Sequence, residues 1–232
     1  MIAKALCGIA AAVSTMVVQA APVWVDWTSM NTVADAASGT LGFTSAFLNA
    51  DDISDGTING AFTGFSSAAF SPPTAASDAL ILVSRTLSFG NVVTFGEAVL
   101  DPIIHLRSLA SDLTFFDANG GAVAVTRLSG DAGLTVSGNH ATGVAYGSTD
   151  SNGTIQLNGT FTSFRFYAFF GGREEFYFQV GATQIAAPPP PPPPPPDPNP
   201  VPAPSSITLA ALALVCARRK ASRHRDACLL KP

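Results

Sequence analysis

Glycoside hydrolysis takes two carboxylates about 5–9 Å apart across a cleft. The candidates for such a pair in this chain are Glu97, Asp101, Asp112, Glu174 and Glu175. Glu97 and Asp101 flank an apolar strand end, and Glu174 and Glu175 follow Gly171-Gly172-Arg173, which reads as a hairpin turn. Solvated loop carboxylates account for both sets without chemistry. Acyl transfer needs a nucleophile and a base, and the stretch 21–187 has two histidines. His105 alternates with Ile104 and Leu106 in a strand-like run, facing either solvent or core, while His140 lies in a solvated Gly/Asn turn. No Gly-x-Ser-x-Gly elbow, His-Glu-x-x-His pair or Gly-rich phosphate loop is present. The expectation is a protein that is not an enzyme, with a secreted polysaccharide-active enzyme as the competing class.

Two binding chemistries have candidates. Asp51-Asp52-Ile53-Ser54-Asp55-Gly56 is like half of a calcium loop, with Asp at the first and fifth positions and Gly at the sixth. Ile53 replaces the oxygen donor at the third position, and Phe62 stands where the loop's glutamate belongs, so it is not an EF-hand. Asp51, Asp52 and Asp55 are nevertheless the candidate ligands for calcium, the one cofactor considered. The plainer reading is an acidic turn whose Asp side chains cap backbone amides. For sugars, flat aromatics on a β face stack on pyranose rings, and Trp24, Tyr146, Tyr167 and Tyr177 are the candidates. A calcium-dependent carbohydrate-binding module is therefore a third class of reading.

The elements that must position these residues are strands. Val23-Trp24-Val25-Asp26-Trp27-Thr28 puts Val23, Val25 and Trp27 on one face and Trp24, Asp26 and Thr28 on the other. Thr154 to Asn158 alternates as cleanly, and Phe176, Phe178 and Val180 share one side of theirs. Asp117 to Gly121, Ser137 to His140 and Asp150 to Gly153 supply turn residues that tolerate positive φ. The run Phe161 to Phe170 has large residues on both faces, as a central strand covered on both sides would. Roughly ten to thirteen strands in two packed antiparallel sheets are expected, an all-β, jelly-roll-like sandwich. There is no helical stripe and no internal repeat.

Both ends differ from this body. After Lys4, residues Ala5 to Val18 are almost wholly apolar or small, and Val18-Gln19-Ala20 fits a signal peptidase. The reading is a signal helix over 1–20, cleaved after Ala20. All three cysteines (Cys7, Cys216, Cys228) lie outside 21–187, so the body has no disulfide and rests on its core. All sixteen phenylalanines lie between Phe43 and Phe178. Between Ala21 and Pro204, fifteen acidic residues face five arginines and no lysine, a net charge of −10. Such a body repels phosphate backbones, and nucleic acid is excluded as a partner.

From Pro188 to Pro196 nine prolines run unbroken, a polyproline II spacer of roughly 28 Å continued by Asp197-Pro198-Asn199-Pro200. Beyond it come Val201-Pro202-Ala203-Pro204-Ser205-Ser206, the apolar run Ile207 to Ala217, and Arg218-Arg219-Lys220. The apolar run has eleven residues, where a permanent membrane span takes about 20. The basic end suits a short transmembrane helix whose C-terminal flank stays cytoplasmic.

A Val-Pro-x-Pro-Ser-Ser motif, a short Leu/Ala-rich helix and a basic cluster, in that order, resemble the PEP-CTERM sorting signal of Gram-negative bacteria. The match covers Val201 to Lys220, with Val201, Pro202, Ala203, Pro204 and Ser205 in the motif and Arg218, Arg219 and Lys220 in the cluster. The resemblance implies recognition by an exosortase-type membrane enzyme, processing near the motif, and passage from the inner membrane to the cell surface or extracellular polymer. The family's central Glu is Ala203 here, and twelve residues, Ala221 to Pro232, follow the cluster. The body is similar to uncharacterised β-rich domains that accompany this signal, through Val25 to Ser29, Asp101 to Leu106 and Gly159 to Phe166.

The expected organisation is thus a signal peptide at 1–20, a β domain at 21–187 and a spacer at 188–200. A sorting and anchor segment follows at 201–220, then a disordered basic tail at 221–232. The expected partners are signal peptidase, the exosortase-type enzyme and extracellular polysaccharide.

Overall fold

The computed structural model of the chain describes residues 21–85, 90–144, 150–169 and 173–186. The signal segment with Ala20, Tyr146, the spacer, the sorting motif and the tail lie outside the described residues. The chain divides into two compact units, Met1–Pro188 and Pro189–Pro232. The first holds every described residue.

Fifteen strands and no helix make up the described part. The first five are β1 (Val23–Asn31), β2 (Ala36–Leu41), β3 (Thr44–Asn49), β4 (Ile53–Phe62) and β5 (Ser77–Arg85). Next come β6 (Asn91–Leu100), β7 (Ile103–Leu109), β8 (Asp112–Asp117), β9 (Val125–Gly130) and β10 (Thr135–Ser137). The last are β11 (His140–Thr142), β12 (Ser151–Leu157), β13 (Thr160–Phe169), β14 (Arg173–Ala182) and β15 (Gln184–Ile185).

All fifteen join one hydrogen-bonded sheet, ordered β10-β11-β8-β13-β6-β3-β2-β1-β14-β7-β12-β9 along its main path. The expectation of two packed sheets meets a single antiparallel sheet curled nearly into a barrel. The curl comes from β5, which pairs with β14 and touches β13 through the parallel bridge Phe169↔Arg85. That contact links the two arms of the sheet without a separate layer.

Period-two alternation puts the apolar side chains inside. Val25 and Trp27 are buried, as are Phe164, Phe166, Phe176, Phe178 and Val180. The interior indole is held by polar bonds: Trp27 Nε1–H donates to Gln179 Oε1 at 2.9 Å, and Gln179 Nε2–H donates to the Val25 carbonyl at 2.8 Å. Paired in this way, a fully buried amide carries no unsatisfied group into the core. Val23, at the mouth of β1, remains 45% exposed, although it shares the face of Val25 and Trp27.

The turns divide. Ser137 pairs with His140 across Gly138-Asn139, a tight hairpin with Gly138 at φ 60°. Asp150 to Gly153 is not a turn, because β12 begins at Ser151 and its register with β7 shifts between Ser151 and Gly153. Gly153 permits this crossing: a Cβ there would lie 2.6 Å from the Ser129 carbonyl oxygen. Nor are β13 and β14 a hairpin around Gly171-Gly172. Both pair with β5 instead of with each other.

Candidate functional site

The two arms of the sheet treat their outer faces differently. On the β14–β7–β12 arm the face is covered by the segment 63–76, which straps across from β4 to β5. Ser71 N–H donates to Thr154 Oγ1 at 2.9 Å, and Ser129 Oγ–H donates to the Ala69 carbonyl at 2.8 Å. Phe65 and Phe70 turn inward from the strap into a second apolar cluster with Ala79, edged by Phe62 and Tyr177. A cavity of about 410 Å³ opens at its end, lined by Ser71, Pro72, Ile103, Leu128 and Gln156 among others.

His105 lies beneath this strap and is fully buried. Its Nδ1 is 2.9 Å from Thr154 Oγ1, and its Nε2 makes no well-formed hydrogen bond. Trp24 stacks on one side at 4.0 Å, with the Phe65 and Phe70 rings at 5.1 and 5.2 Å. Loss of water on burial lowers its pKa to about 3, with the nearby Pro72 carbonyl opposing in part. The imidazole is neutral at ordinary pH and serves as packing.

Two of the sugar-stacking candidates fall on this covered arm. Trp24 lies against His105 and over Gly181, where a Cβ would come 2.6 Å from Trp24 Cε3. Tyr177 stacks on Phe62 at 4.7 Å, and the Arg107 guanidinium sits 5.5 Å from its ring centre. Both rings have their partners within the fold.

Tyr167 is different. Strand β13 is central, between β6 and β8, and its two faces differ in burial. Phe164, Phe166 and Ala168 point inward; on the outer face Arg165 and Tyr167 are half-buried and Phe169 is 43% exposed. The outer face of β14 lies under the strap, and that of β13 is half-buried from Ser163 to Tyr167 and exposed at Phe169. The Tyr167 and Phe169 rings lie within 20° of parallel at 6.1 Å, and Phe116 meets Tyr167 edge-on at 5.6 Å. Gly90, at φ 104°, keeps the backbone beneath Tyr167 free of a side chain: a Cβ there would be 3.2 Å from the ring.

Polar groups border these rings. Asp112 pairs with both Phe169 and Thr142, and Thr114 with both Tyr167 and His140. His140 Nδ1 is 3.1 Å from Asp112 Oδ2, and Thr142 Oγ1–H donates to Asp112 Oδ1 at 2.9 Å. The His140 and Asp112 side chains stay 45% and 37% exposed, so the turn histidine is solvated and also half of a cross-strand pair. Farther along the face Phe47, 48% exposed, edges a groove of about 240 Å³ with Ser29, Asn31, Ser38 and Asn49.

The Asp101 and Glu174–Glu175 sets lie apart, whereas Ser84 Oγ, bonded to both Ser111 Oγ and the Glu174 carbonyl, brings the strand end of Asp112 beside Glu174. Ile103 pairs with Gly181 of β14, and Glu175 lies six residues along that strand. The Asp101 and Glu174–Glu175 regions are therefore about 20 Å apart. Asp101 Oδ1 accepts from the Gly159 N–H at 2.8 Å, and Glu97 is half-buried on β6. Burial raises the pKa of Glu174, with Asp150 and Glu175 adding repulsion. In the proposed calcium loop, Asp51 Oδ2 accepts from Gly90 N–H at 3.2 Å and Asp55 Oδ1 from Gly56 N–H at 2.8 Å. Asp52 is 4.0 Å from Arg173. Among the described residues no group of three or more His, Cys, Asp or Glu side chains is gathered to hold a metal ion.

Sequence reading missed one pair, Asp26 and Asp78. Asp78 is buried and its two oxygens accept from the Gly60 and Trp27 N–H groups, each at 2.6 Å. Burial raises its pKa, partly offset by these bonds, and Asp26 adds repulsion and a side-chain hydrogen bond. A carboxylate tying β1 to β4 by two backbone bonds is a structural clamp. Its only mark in the sequence is an acid standing directly before the apolar run Ala79–Val83.

No helix among the described residues is long and apolar enough to cross a membrane. No family model, curated protein or solved structure matches the chain.

Proposed function

We propose that this is a non-catalytic exported protein, sorted by a PEP-CTERM-like C-terminal signal to the cell surface or extracellular matrix. There its body binds, adheres or builds. The observation that carries the reading is the three-part end, Val201 to Lys220, in a chain that opens with a signal-like segment ending at Ala20. Signal peptidase releases the front, the short apolar run holds the chain briefly at the inner membrane, and an exosortase-type enzyme acts near Ala203. The polyproline spacer holds the body away from that membrane.

In this reading the two arms of the curled sheet act as the layers of a jelly-roll-like sandwich. Support comes from the shared core, in which Phe166 of β13 stacks on Phe178 of β14 at 5.3 Å. The neutral, enclosed His105 favours binding over catalysis.

Fractionation of Gram-negative cells that carry an exosortase tests the proposal. The full chain is expected at the surface or in the medium, shorter than its gene product. Deleting Val201 to Pro232 is expected to change both location and size; an unchanged location and size would remove the sorting reading.

A further inference from the structure

The geometry points to the outer face running from β2 and β3 across β6 to β13, β8 and β11, with Phe47 and Phe169 exposed and Tyr167 half-buried between them, as a binding track for an uncharged polysaccharide. This deepens the preceding reading of the body as a ligand-binding module and rests on it.

Paired residues of neighbouring strands point the same way, so the register lays out the face. One row runs Ser38, Phe47, Thr94, Ser163, and the next runs Asn49, Val92, Arg165, Phe116. Beyond these rows come Tyr167 with Thr114 and His140, then Phe169 with Asp112 and Thr142. Phe47 stands two strands away from β13, in the row of Ser163, six residues before Phe169. The aromatic diagonal from Phe47 to Phe169 is therefore about 20 Å long. That length suits several sugar units rather than one.

The chemistry of the face selects the occupant. A pyranose presents C–H groups on its flat side and hydroxyls around its rim. Tyr167 and Phe169, near-parallel and 6.1 Å apart, receive the flat side. Asp112, His140, Thr142 and the Ser38/Asn49 groove offer acceptors and donors for the rim. An interface for another protein would concentrate apolar residues at its centre, whereas here each ring has hydroxyl, amide or carboxylate neighbours. Arg165 and Asp112 balance one another within these rows, and the net charge of −10 between Ala21 and Pro204 repels polyanions. An uncharged chain fits; an acidic one is disfavoured.

The full chain, run on native gels containing hydroxyethylcellulose, galactomannan, dextran or the polyanion alginate, gives the test. Retardation by at least one uncharged polymer and none by alginate is expected. Tyr167→Ala and Phe169→Ala are each expected to weaken that retardation about tenfold or more while a cooperative melting transition is retained. Asp112→Asn is expected to weaken it less. Phe43→Ala, which removes an exposed aromatic from the β2–β3 turn, is expected to leave it unchanged. Absence of retardation by all three uncharged polymers would overturn the proposal, as would full binding by the Tyr167→Ala and Phe169→Ala proteins, or equal binding of alginate. Binding by a protein retained in the cytoplasm would defeat the export reading alone. Correct sorting without binding would defeat this one alone.

Discussion

With Thr154 on its Nδ1 and Trp24, Phe65 and Phe70 around its ring, His105 has no room for a charge and its hydration. Its pKa falls to about 3 in the folded chain, against about 6.5 for an exposed histidine. Below pH 6.5 the unfolded chain therefore takes up a proton that the folded chain refuses. Stability from this residue is complete above pH 6.5 and declines as pH falls toward 3, by roughly a kcal/mol per pH unit. Asp78 acts in the opposite direction, because its raised pKa favours the folded state as the carboxyl protonates. Comparison with His105→Gln isolates the histidine: urea midpoints between pH 4 and 7 are expected to lose much of their slope in the variant. An identical slope in both proteins would show that His105 is not enclosed as described. At this scale the sequence was partly legible. Alternation left His105 facing either solvent or core, and it could not show that a distant loop supplies the core. The partners of Asp78 are likewise backbone groups 18 and 51 residues away, which no local pattern encodes.

The strap and β13 decide what the body offers to its surroundings. Phe65 and Phe70 hold 63–76 over one arm of the sheet, and among the described residues no such strap lies on the outer face of β13. Phe65→Ala is expected to destabilise the fold by about 3–5 kcal/mol, read from denaturant unfolding, and to raise the exposure of Trp24 to a fluorescence quencher. A loss below about 1 kcal/mol with Trp24 still shielded would mean that the strap is held by its backbone bonds instead. The strand assignments around Trp27, Phe176 and Phe178 were readable because those strands alternate strictly. The strap was not, since Gly64, Ser66, Ser67, Pro72 and Pro73 give its sequence the composition of an ordinary surface loop. Trp24, Tyr167 and Tyr177 read as surface aromatics, and each is half-buried against ring partners of the fold.

For the whole molecule, an acidic body without lysine is followed by nine prolines, a short apolar run and a basic cluster. Each segment suits a different surrounding: solvent outside the cell, the gap to the membrane, the bilayer, the cytoplasmic edge. Compositional breaks made this order visible in the sequence, while the strand order of the body was not visible, because pairing between segments leaves no local trace. The central claim is that both ends are removed on the way out, and Ala203 marks the weak position in the second signal. Intact mass of the protein recovered from exosortase-bearing cells tests this most directly. The account predicts a chain beginning at Ala21 and ending near Ala203, with a larger processed fraction for Ala203→Glu. A full 232-residue mass in the cytoplasmic fraction, unchanged by Ala203→Glu, would contradict it.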